Sequence, residues 1–385
     1  MAAFSFYEFF AGAGMARAGL GGQWQCLFAN EFDLKKSVVY RDNWGKPDAL
    51  KVADVGTLTA ADIPAEVADL VWASFPCQDL SLAGAGAGLK GDRSGTFWPF
   101  WRLMQSLIEA DRAPKIIVLE NVCGTLTSHD GKDFAAICGT YVKAGYRFGA
   151  VVVDAERFVP QSRPRLFVIG VREDVELAPH MWRSEPSTLW HPRGLINAHS
   201  KLTAKTRESW IWWNLSAPTT RAGTFADLIE DEPVGVEWHT AAETAKLLKM
   251  MSPLNREKVD EVKRSGARTV GAIYKRTRRD DVGRKVQRAE IRFDDLAGCL
   301  RTPAGGSSRQ VIMIVEGKSV RSRLISPRET ARLMGLPDTY RLPKAYNEAY
   351  HLTGDGVAVP VVRHLAQHIF EPILRTSRVT AKVAA

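Results

Sequence analysis

The chain contains no run of 18 or more apolar residues, so no transmembrane helix is expected. Its opening residues, MAAFSFYEFF, lack the basic-then-apolar layout of a secretory leader. Cysteine is scarce: Cys26, Cys77, Cys123, Cys138 and Cys299 are odd in number, scattered, and without a C-x-x-C spacing. This pattern argues against a disulfide frame and against structural zinc, and it points to a reducing, cytoplasmic compartment. No metal is expected. There is no internal repeat, no low-complexity segment and no complete G-x-G-x-x-G, because Arg17 stands where the third glycine would fall.

Positive charge, by contrast, is abundant and uneven. The net charge is +9, and residues 256–288 alone hold twelve Lys or Arg against five Asp or Glu. A basic block of this kind suggests a polyanionic partner. Nucleic acid is the leading candidate, since an anionic membrane would call for an amphipathic helix that the segment lacks.

With 385 residues the chain can hold one large domain and a smaller one. The first 172 residues alternate short apolar runs with helical patterns, which predicts an α/β fold with a doubly wound, mostly parallel sheet. Strands are expected at Phe4–Phe10, Gln25–Asn30, Asp69–Ala73, Lys115–Glu120, Gly149–Asp154 and Leu166–Val171, with a shorter one near Lys51–Val55. Helices are expected at Trp98–Ala110 and Asp133–Ala144. From about 173 to 320 the texture turns irregular, and six of the eleven tryptophans lie between Trp182 and Trp238. This stretch reads as a separate lobe that meets a ligand. Order returns at Ser326-Pro327-Arg328-Glu329, a helix start with a capping Ser and a Glu three residues on. A further helix is expected over Pro360–Phe370, and fraying beyond Arg375.

Five strand ends carry chemistry. Phe10-Ala11-Gly12-Ala13-Gly14, with Met15 beside it, follows the first strand, where glycines let the backbone turn and approach a ligand. Glu31 ends the second strand, placed to bind both hydroxyls of a ribose, and Asp54 with Val55 ends the third, placed to accept a bond from an adenine amino group. Without the third glycine the loop suits an adenosine ligand lacking a pyrophosphate better than NAD. Ser74-Phe75-Pro76-Cys77-Gln78 follows a buried strand and leads into the small-residue loop Leu82–Gly88, a setting for an exposed nucleophilic thiol. Glu120-Asn121-Val122 ends the neighbouring strand if the order is doubly wound. Thiolate and acid together are what cytosine methylation needs. The thiolate adds to carbon 6, an acid protonates ring nitrogen 3, and the resulting enamine attacks a methyl donor through carbon 5. Loss of the carbon 5 proton then expels the thiolate. Arg163 and Arg165, two apart in an extended segment, point the same way. One can clamp the base carbonyl, and the other a phosphate or the Glu120 carboxylate.

These residues resemble the DNA cytosine-5 methyltransferase family over most of the chain outside about 175–300. Phe10–Gly14 is similar to its first motif, Asn30-Glu31-Phe32 and Asp54-Val55 to the next two. Pro76-Cys77-Gln78 with Ser81 resembles the catalytic loop, Glu120-Asn121-Val122 the acid motif, and Gln161-x-Arg163-x-Arg165 the motif after it. Arg328-Glu329 through Pro337-Asp338 resembles the ninth motif, and Gly354-Asp355-Gly356-Val357 the tenth. The resemblance implies an enzyme that uses S-adenosylmethionine, with Phe10 and Phe32 beside the adenine. It implies Cys77, Glu120, Arg163 and Arg165 at the reacting base, and Pro76, Asp355, Gly356 and Val357 at the cofactor. Gln78, Ser81, Lys90, Arg93 and Gln161 fall on the DNA side, and the loop Ser81–Phe97 would close over a base flipped from the duplex.

A target-recognition lobe is implied where the basic, Trp-rich region lies, with Arg276, Arg278 and Arg279 as DNA contacts. The expected domains are 1–174 for catalysis and cofactor, 175–320 for target recognition, and 321–385 as a return segment completing the first. Two departures stand out. The tenth motif usually has Asn-Ser where this chain has Asp355-Gly356, and an ionised Asp355 would favour the ammonium of the cofactor over its carboxylate. Phe32 takes the place of a common tryptophan.

No regulatory region precedes the first motif, so the resemblance is to a stand-alone bacterial or phage modification enzyme. Such an enzyme is expected to be a cytoplasmic monomer acting on double-stranded DNA, with a cognate restriction endonuclease as the protein partner to look for. Rival readings fit less well. The tRNA-modifying relatives carry Cys-Phe-Thr after the acid motif, where this chain has Cys123-Gly124-Thr125. A cofactor-binding regulator without catalysis would lack Cys77 or Glu120. An NAD oxidoreductase would need the full glycine motif, and an amino-methylating enzyme a Pro-Pro-aromatic motif.

Overall fold

Strands form where the sequence carries unbroken apolar runs, as expected for a sheet covered on both faces. They are β1 (Phe4–Phe9), β2 (Trp24–Glu31), β3 (Leu50–Val52), β4 (Leu70–Ala73), β5 (Ile116–Val122), β6 (Tyr146–Asp154) and β7 (Pro164–Arg172). The computed structural model describes residues 3–45, 49–76, 89, 94–219, 221, 223–280, 282–301 and 308–384. The seven strands make one sheet in the order β3-β2-β1-β4-β5-β7-β6. β1 to β5 run parallel, and β7 runs antiparallel between β5 and β6. The direction of winding reverses between β1 and β4, the place where sheets of this kind open a crevice for ligands.

Helices α1 (Met15–Leu20), α2 (Leu34–Trp44), α3 (Phe97–Glu109) and α4 (Lys132–Lys143) connect these strands. α3 shows why such segments become helices. Phe97, Phe100, Trp101, Leu103, Met104 and Leu107 fall on one face and are buried. Pro99 is tolerated because it lies in the first turn, where its missing N–H has no partner to lose.

Two compact units emerge: residues 1–154, 164–219 and 359–385 form the first, and 155–163 with 220–358 the second. The boundaries therefore differ from those read in the sequence. Residues 175–219 belong with the large sheet, and 321–358 belong with the second unit. The first of these segments carries β8 (Trp182–Arg183), α5 (Arg193–Ser200), α6 (Ala204–Glu208) and β9 (Trp212–Trp213). Apart from Trp182, which is exposed, the tryptophans there are packing residues of the sheet unit. Trp190 and Trp213 are fully buried, and Trp210 packs edge-on against Phe148 of β6 at 5.4 Å. Only Trp238 of the six falls in the second unit.

The second unit is more regular than its sequence texture suggested. It holds α7 (Ala241–Lys249), α8 (Pro253–Ser265), β10 (Thr269–Arg279), β11 (Lys285–Arg292), β12 (Val311–Glu316), β13 (Ser319–Leu324), α9 (Pro327–Leu333) and α10 (Tyr346–Asp355). β11-β10-β12-β13 is an antiparallel sheet whose core, including Ile273, Ile291, Val311 and Met313, packs against Leu247, Met251 and Val259 of the helical side. The alternation was masked by charge inside the strands. Arg323 of β13 is fully buried because Glu329 meets its guanidinium through both carboxylate oxygens, at 2.6 and 2.8 Å. Ser326 and Glu329 form the expected capping box of α9.

The chain then returns to the first unit through α11 (Val359–Leu365) and α12 (Glu371–Ala384), joined by a single π-helical turn. The segment beyond Arg375 is helical to Ala384, which corrects the expected fraying. Among the described residues, no helix is long and apolar enough to cross a membrane.

Candidate active site

The carboxyl ends of β1, β4 and β5 and the start of antiparallel β7 share one edge of the large sheet. Each delivers a residue read in the sequence. Glu120, in the last turn of register of β5, is only 7% exposed. Its Oε1 lies 3.3 Å from Nε of Arg165, whose residue pairs with Val122 across the strands. The next side chain, Asn121, donates through Nδ2 to the carbonyl of Phe75 at 3.2 Å and accepts from the Val122 N–H at 2.8 Å. Asn121 thus ties the acid-bearing strand end to the segment that leads from β4 into Pro76. Phe75 is buried against Phe97 at 5.3 Å, and the Trp72 indole donates to Ser74 Oγ at 2.9 Å. Cys77, the residue after Pro76, lies outside the described residues, as do Gln78, Ser81, Lys90 and Arg93.

Most of the residues read in the sequence as cofactor contacts come together on β1, β2 and the turns that follow them. Phe10 has φ 55° and Gly12 φ 56°, so the chain turns sharply as it leaves β1. A Cβ at Gly12 would meet nothing within 4 Å, which leaves open space over the loop. The Glu31 carboxylate faces that loop. Its Oε2 accepts from the Gly12 N–H at 2.7 Å and its Oε1 from the Asp33 N–H at 2.8 Å. Each oxygen keeps a second lone pair, enough to accept both hydroxyls of a ribose. Phe32 is 72% exposed, a flat apolar face beside the carboxylate. Asp54 is exposed and caps a 3-10 turn by accepting from the Gly56 N–H at 2.7 Å. This set fits an adenosine. Ala11, Ala13, Met15 and Val55 instead bury their side chains, so only their backbone can face a ligand.

Beneath the loop lies a cluster that sequence reading missed. Glu8 of β1 is 1% exposed and accepts from the Arg17 N–H and from the Tyr40 hydroxyl, both at 3.3 Å. Arg17 donates to Tyr40 Oη at 3.1 Å and stacks 4.8 Å above the Trp44 ring. Trp44 in turn donates to the Ala13 carbonyl at 3.0 Å. Burial pushes the Glu8 carboxyl up to about 8 against the pull of Arg17. The only signal in the sequence was one carboxylate inside an apolar strand.

Several expectations need correction. Gln161, expected toward DNA, is fully buried: its amide donates to the Leu333 carbonyl at 2.8 Å and accepts from the Leu300 N–H at 3.2 Å. Arg163 does not point with Arg165. It is 1% exposed, and its guanidinium donates to the carbonyls of Leu300, Gly354 and Gly356 at 3.1, 2.7 and 2.6 Å. The alternation argument fails because β7 begins only at Pro164, while Arg163 belongs to the second unit. Asp355 is the exposed last residue of α10, Gly356 follows it, and Val357 is buried. Arg276 and Arg278 are exposed but share Glu290, at 3.4 and 2.5 Å, and Arg279 donates to the Gly283 carbonyl at 2.9 Å.

A sheet of this order, with an adenosine-shaped loop after β1 and an acid at the end of β5, defines a Rossmann-like methyltransferase. The match with the C-5 cytosine-specific DNA methylases spans residues 4–371, and the chain belongs to that family. It is therefore a DNA (cytosine-5-)-methyltransferase that uses S-adenosylmethionine. The chain is 26% identical to the type II methyltransferase M.HpaII of Haemophilus parainfluenzae, with 96% of this chain and 90% of that protein covered. It is 23% identical to M.HhaI of Haemophilus parahaemolyticus, with 94% and 93% covered. In fold it is similar to the Dnmt2 methyltransferase of S. pombe at a TM-score of 0.57 and 17% identity, covering 96% of this chain and 99% of that one. The Entamoeba histolytica methyltransferase EhMeth gives 0.60 and 14%, with 97% and 99% covered.

Proposed function

We propose that the protein methylates cytosine at carbon 5 within a specific sequence of double-stranded DNA, through a covalent bond between Cys77 and carbon 6 of a base flipped out of the duplex. The observation that carries this reading is the Asn121–Phe75 hydrogen bond, which joins the strand end bearing Glu120 to the segment running into Cys77. In the proposed step the Cys77 thiolate adds to carbon 6 while the Glu120 carboxyl holds a proton at ring nitrogen 3. Addition makes carbon 5 nucleophilic. Bound S-adenosylmethionine supplies the methyl group, and Glu31, Phe32, Asp54 and the Phe10–Gly14 turn are assigned to its adenosine. After transfer, loss of the carbon 5 proton restores the ring and releases the thiolate. Arg165 keeps Glu120 oriented toward the base. The second unit supplies target recognition, and the enzyme works as a monomeric type II modification enzyme alongside a restriction endonuclease of the same specificity.

DNA substituted with 5-fluorocytosine at the target tests the covalent step, because fluorine cannot leave as a cation. The wild-type protein is expected to form an adduct stable to denaturing electrophoresis. Equal adduct from Cys77→Ser protein would remove Cys77 from the mechanism.

A further inference from the structure

The register of the smaller sheet leaves part of it unsupported. β10 pairs with β12 only from Thr269 to Ile273, but with β11 from Ala272 to Arg279. Among the described residues, no other named strand pairs with β10 or β11 from Tyr274 outward; at the inner end Ala289 bridges Met251, and the Lys275 N–H donates to Ser308 Oγ at 3.0 Å. At ~3.4 Å per residue, the six residues Tyr274–Arg279 make a two-stranded ribbon ~20 Å long. Its outer half is exposed on β10 from Arg276 to Arg279. Residues 275–288 carry seven Lys or Arg and two Asp.

The two faces of this ribbon differ. Tyr274, Arg276 and Arg278 lie on one, together with their cross-strand partners Glu290, Arg288 and Val286. There Glu290 binds both Arg276 and Arg278, and hydrogen bonding to Arg278 holds its carboxyl below the usual range. Lys275, Thr277 and Arg279 alternate onto the other face, with Ala289, Gln287 and Lys285 opposite them. That face has three cations, a hydroxyl, an amide and no carboxylate. Lys275 and Arg279 are four residues apart, ~14 Å along the strand, and the Thr277–Gln287 pair stands midway between them. The major groove of B-DNA is ~12 Å wide and admits a two-stranded ribbon.

We propose that this ribbon seats in the major groove of duplex DNA with its carboxylate-free face inward. Lys275, Arg279 and Lys285 meet phosphates on either side of the groove, and Thr277 and Gln287 face base edges. Val282 is 72% exposed in the turn at the ribbon's end. The inference rests on the duplex-DNA reading above and narrows it to one element and one face.

Anisotropy titration of a labelled 30-base-pair duplex of mixed sequence, across a range of salt, tests the assignment. The triple variant Lys275→Gln, Arg279→Gln, Lys285→Gln is expected to lower the slope of log affinity against log salt by about 2 to 3, at ~0.9 per lost phosphate contact. The double variant Arg276→Gln, Arg278→Gln is expected to change it by less than about 1. Should the triple variant melt below wild type, Arg279→Gln with Lys285→Gln, the more exposed pair, carries the same comparison. An unchanged slope in a wild-type-like fold overturns the ribbon assignment, and equal losses in the two variants overturn the choice of face. Equal affinity and slope on a 30-nucleotide single-stranded RNA overturns the groove. Methylation sequencing of DNA from cells expressing wild-type protein separates the two levels. Absence of 5-methylcytosine there would sink the proposed function, whereas methylation with an unchanged salt slope would sink only the ribbon.

Discussion

Glu120 and Glu8 are both buried carboxylates on the large sheet, and their surroundings give them different tasks. Glu120 has a cation, Arg165, at 3.3 Å and stands near the carboxyl end of β5, where the proposed mechanism puts the base. Replacement by Gln keeps the shape and removes the proton. General acid catalysis is typically worth ~10²–10⁴-fold. The single-turnover rate of Glu120→Gln is expected to fall within that range, and a rate within about threefold of wild type would contradict the role. Glu8 lies under the Phe10–Gly14 turn, and burial raises its pKa from 4.5 to about 8. The folded state therefore binds a proton that the unfolded chain releases, so this contribution is full below pH 4.5 and is lost as pH rises toward 8. Glu8→Gln is expected to melt near wild type at pH 4.5 and increasingly above it as pH rises to 8, as read by thermal denaturation. A constant deficit at every pH would mean that Glu8 is an ionised partner of Arg17. Glu31 and Glu120 were legible because acids at strand ends advertise themselves. Glu8 was not, because its meaning depends on Arg17 and Tyr40, 9 and 32 residues away.

Among elements, α1 and α11 show how closely the chain's return is fitted. A Cβ on Gly19 would stand 2.4 Å from Val362 Cβ and 2.6 Å from the Val359 carbonyl oxygen. Gly19→Ala is expected to cost about 1–3 kcal/mol through overpacking. Gly139, inside α4, offers the contrast: a Cβ there meets nothing within 4 Å. Gly139→Ala should stabilise by about 0.5–1 kcal/mol, the ordinary gain for a helix interior. Urea unfolding of the pair gives both signs in one experiment, and destabilisation by both would show that the close approach is not the cause. The parallel strands were readable because burial on both faces demands continuous apolar runs. The antiparallel strands of the second unit were not. Ser322 and Arg323, on opposite faces of β13, are polar yet buried, and are satisfied by partners distant in sequence, such as Glu230, whose carbonyl accepts from Arg323 at 2.7 Å. The tryptophans misled for a related reason, since composition marks a ligand-binding lobe and a packed core alike.

For the molecule as a whole, acid should act unevenly. Burial lowers the pKa of His191 to about 4, and it lowers those of His199 and His364, all three in the sheet unit. The second unit has His239, also lowered by burial. A histidine with a depressed folded pKa contributes stability above its unfolded value of 6.5, and that stability is lost as pH falls toward the folded value. Between pH 6.5 and 4 Glu8 returns part of what the histidines of the same unit withdraw, so it is in Glu8→Gln protein that the sheet unit is expected to lose more stability than the second unit. Hydrogen exchange resolved by segment measures this, and faster loss of protection in 220–358 would contradict it. The connectivity of the sheet unit has a consequence for synthesis. Its last helices emerge from the ribosome only after 220–358 has been made, yet Arg363 bonds the Leu20 carbonyl and Glu371 accepts from the Trp24 indole at 3.1 Å. Until then α1 has no partner on its Gly19 face. The smaller unit has all of its chain outside the tunnel first, so the part begun earliest is completed last, and a nascent chain spends most of translation with α1 unsupported on that side.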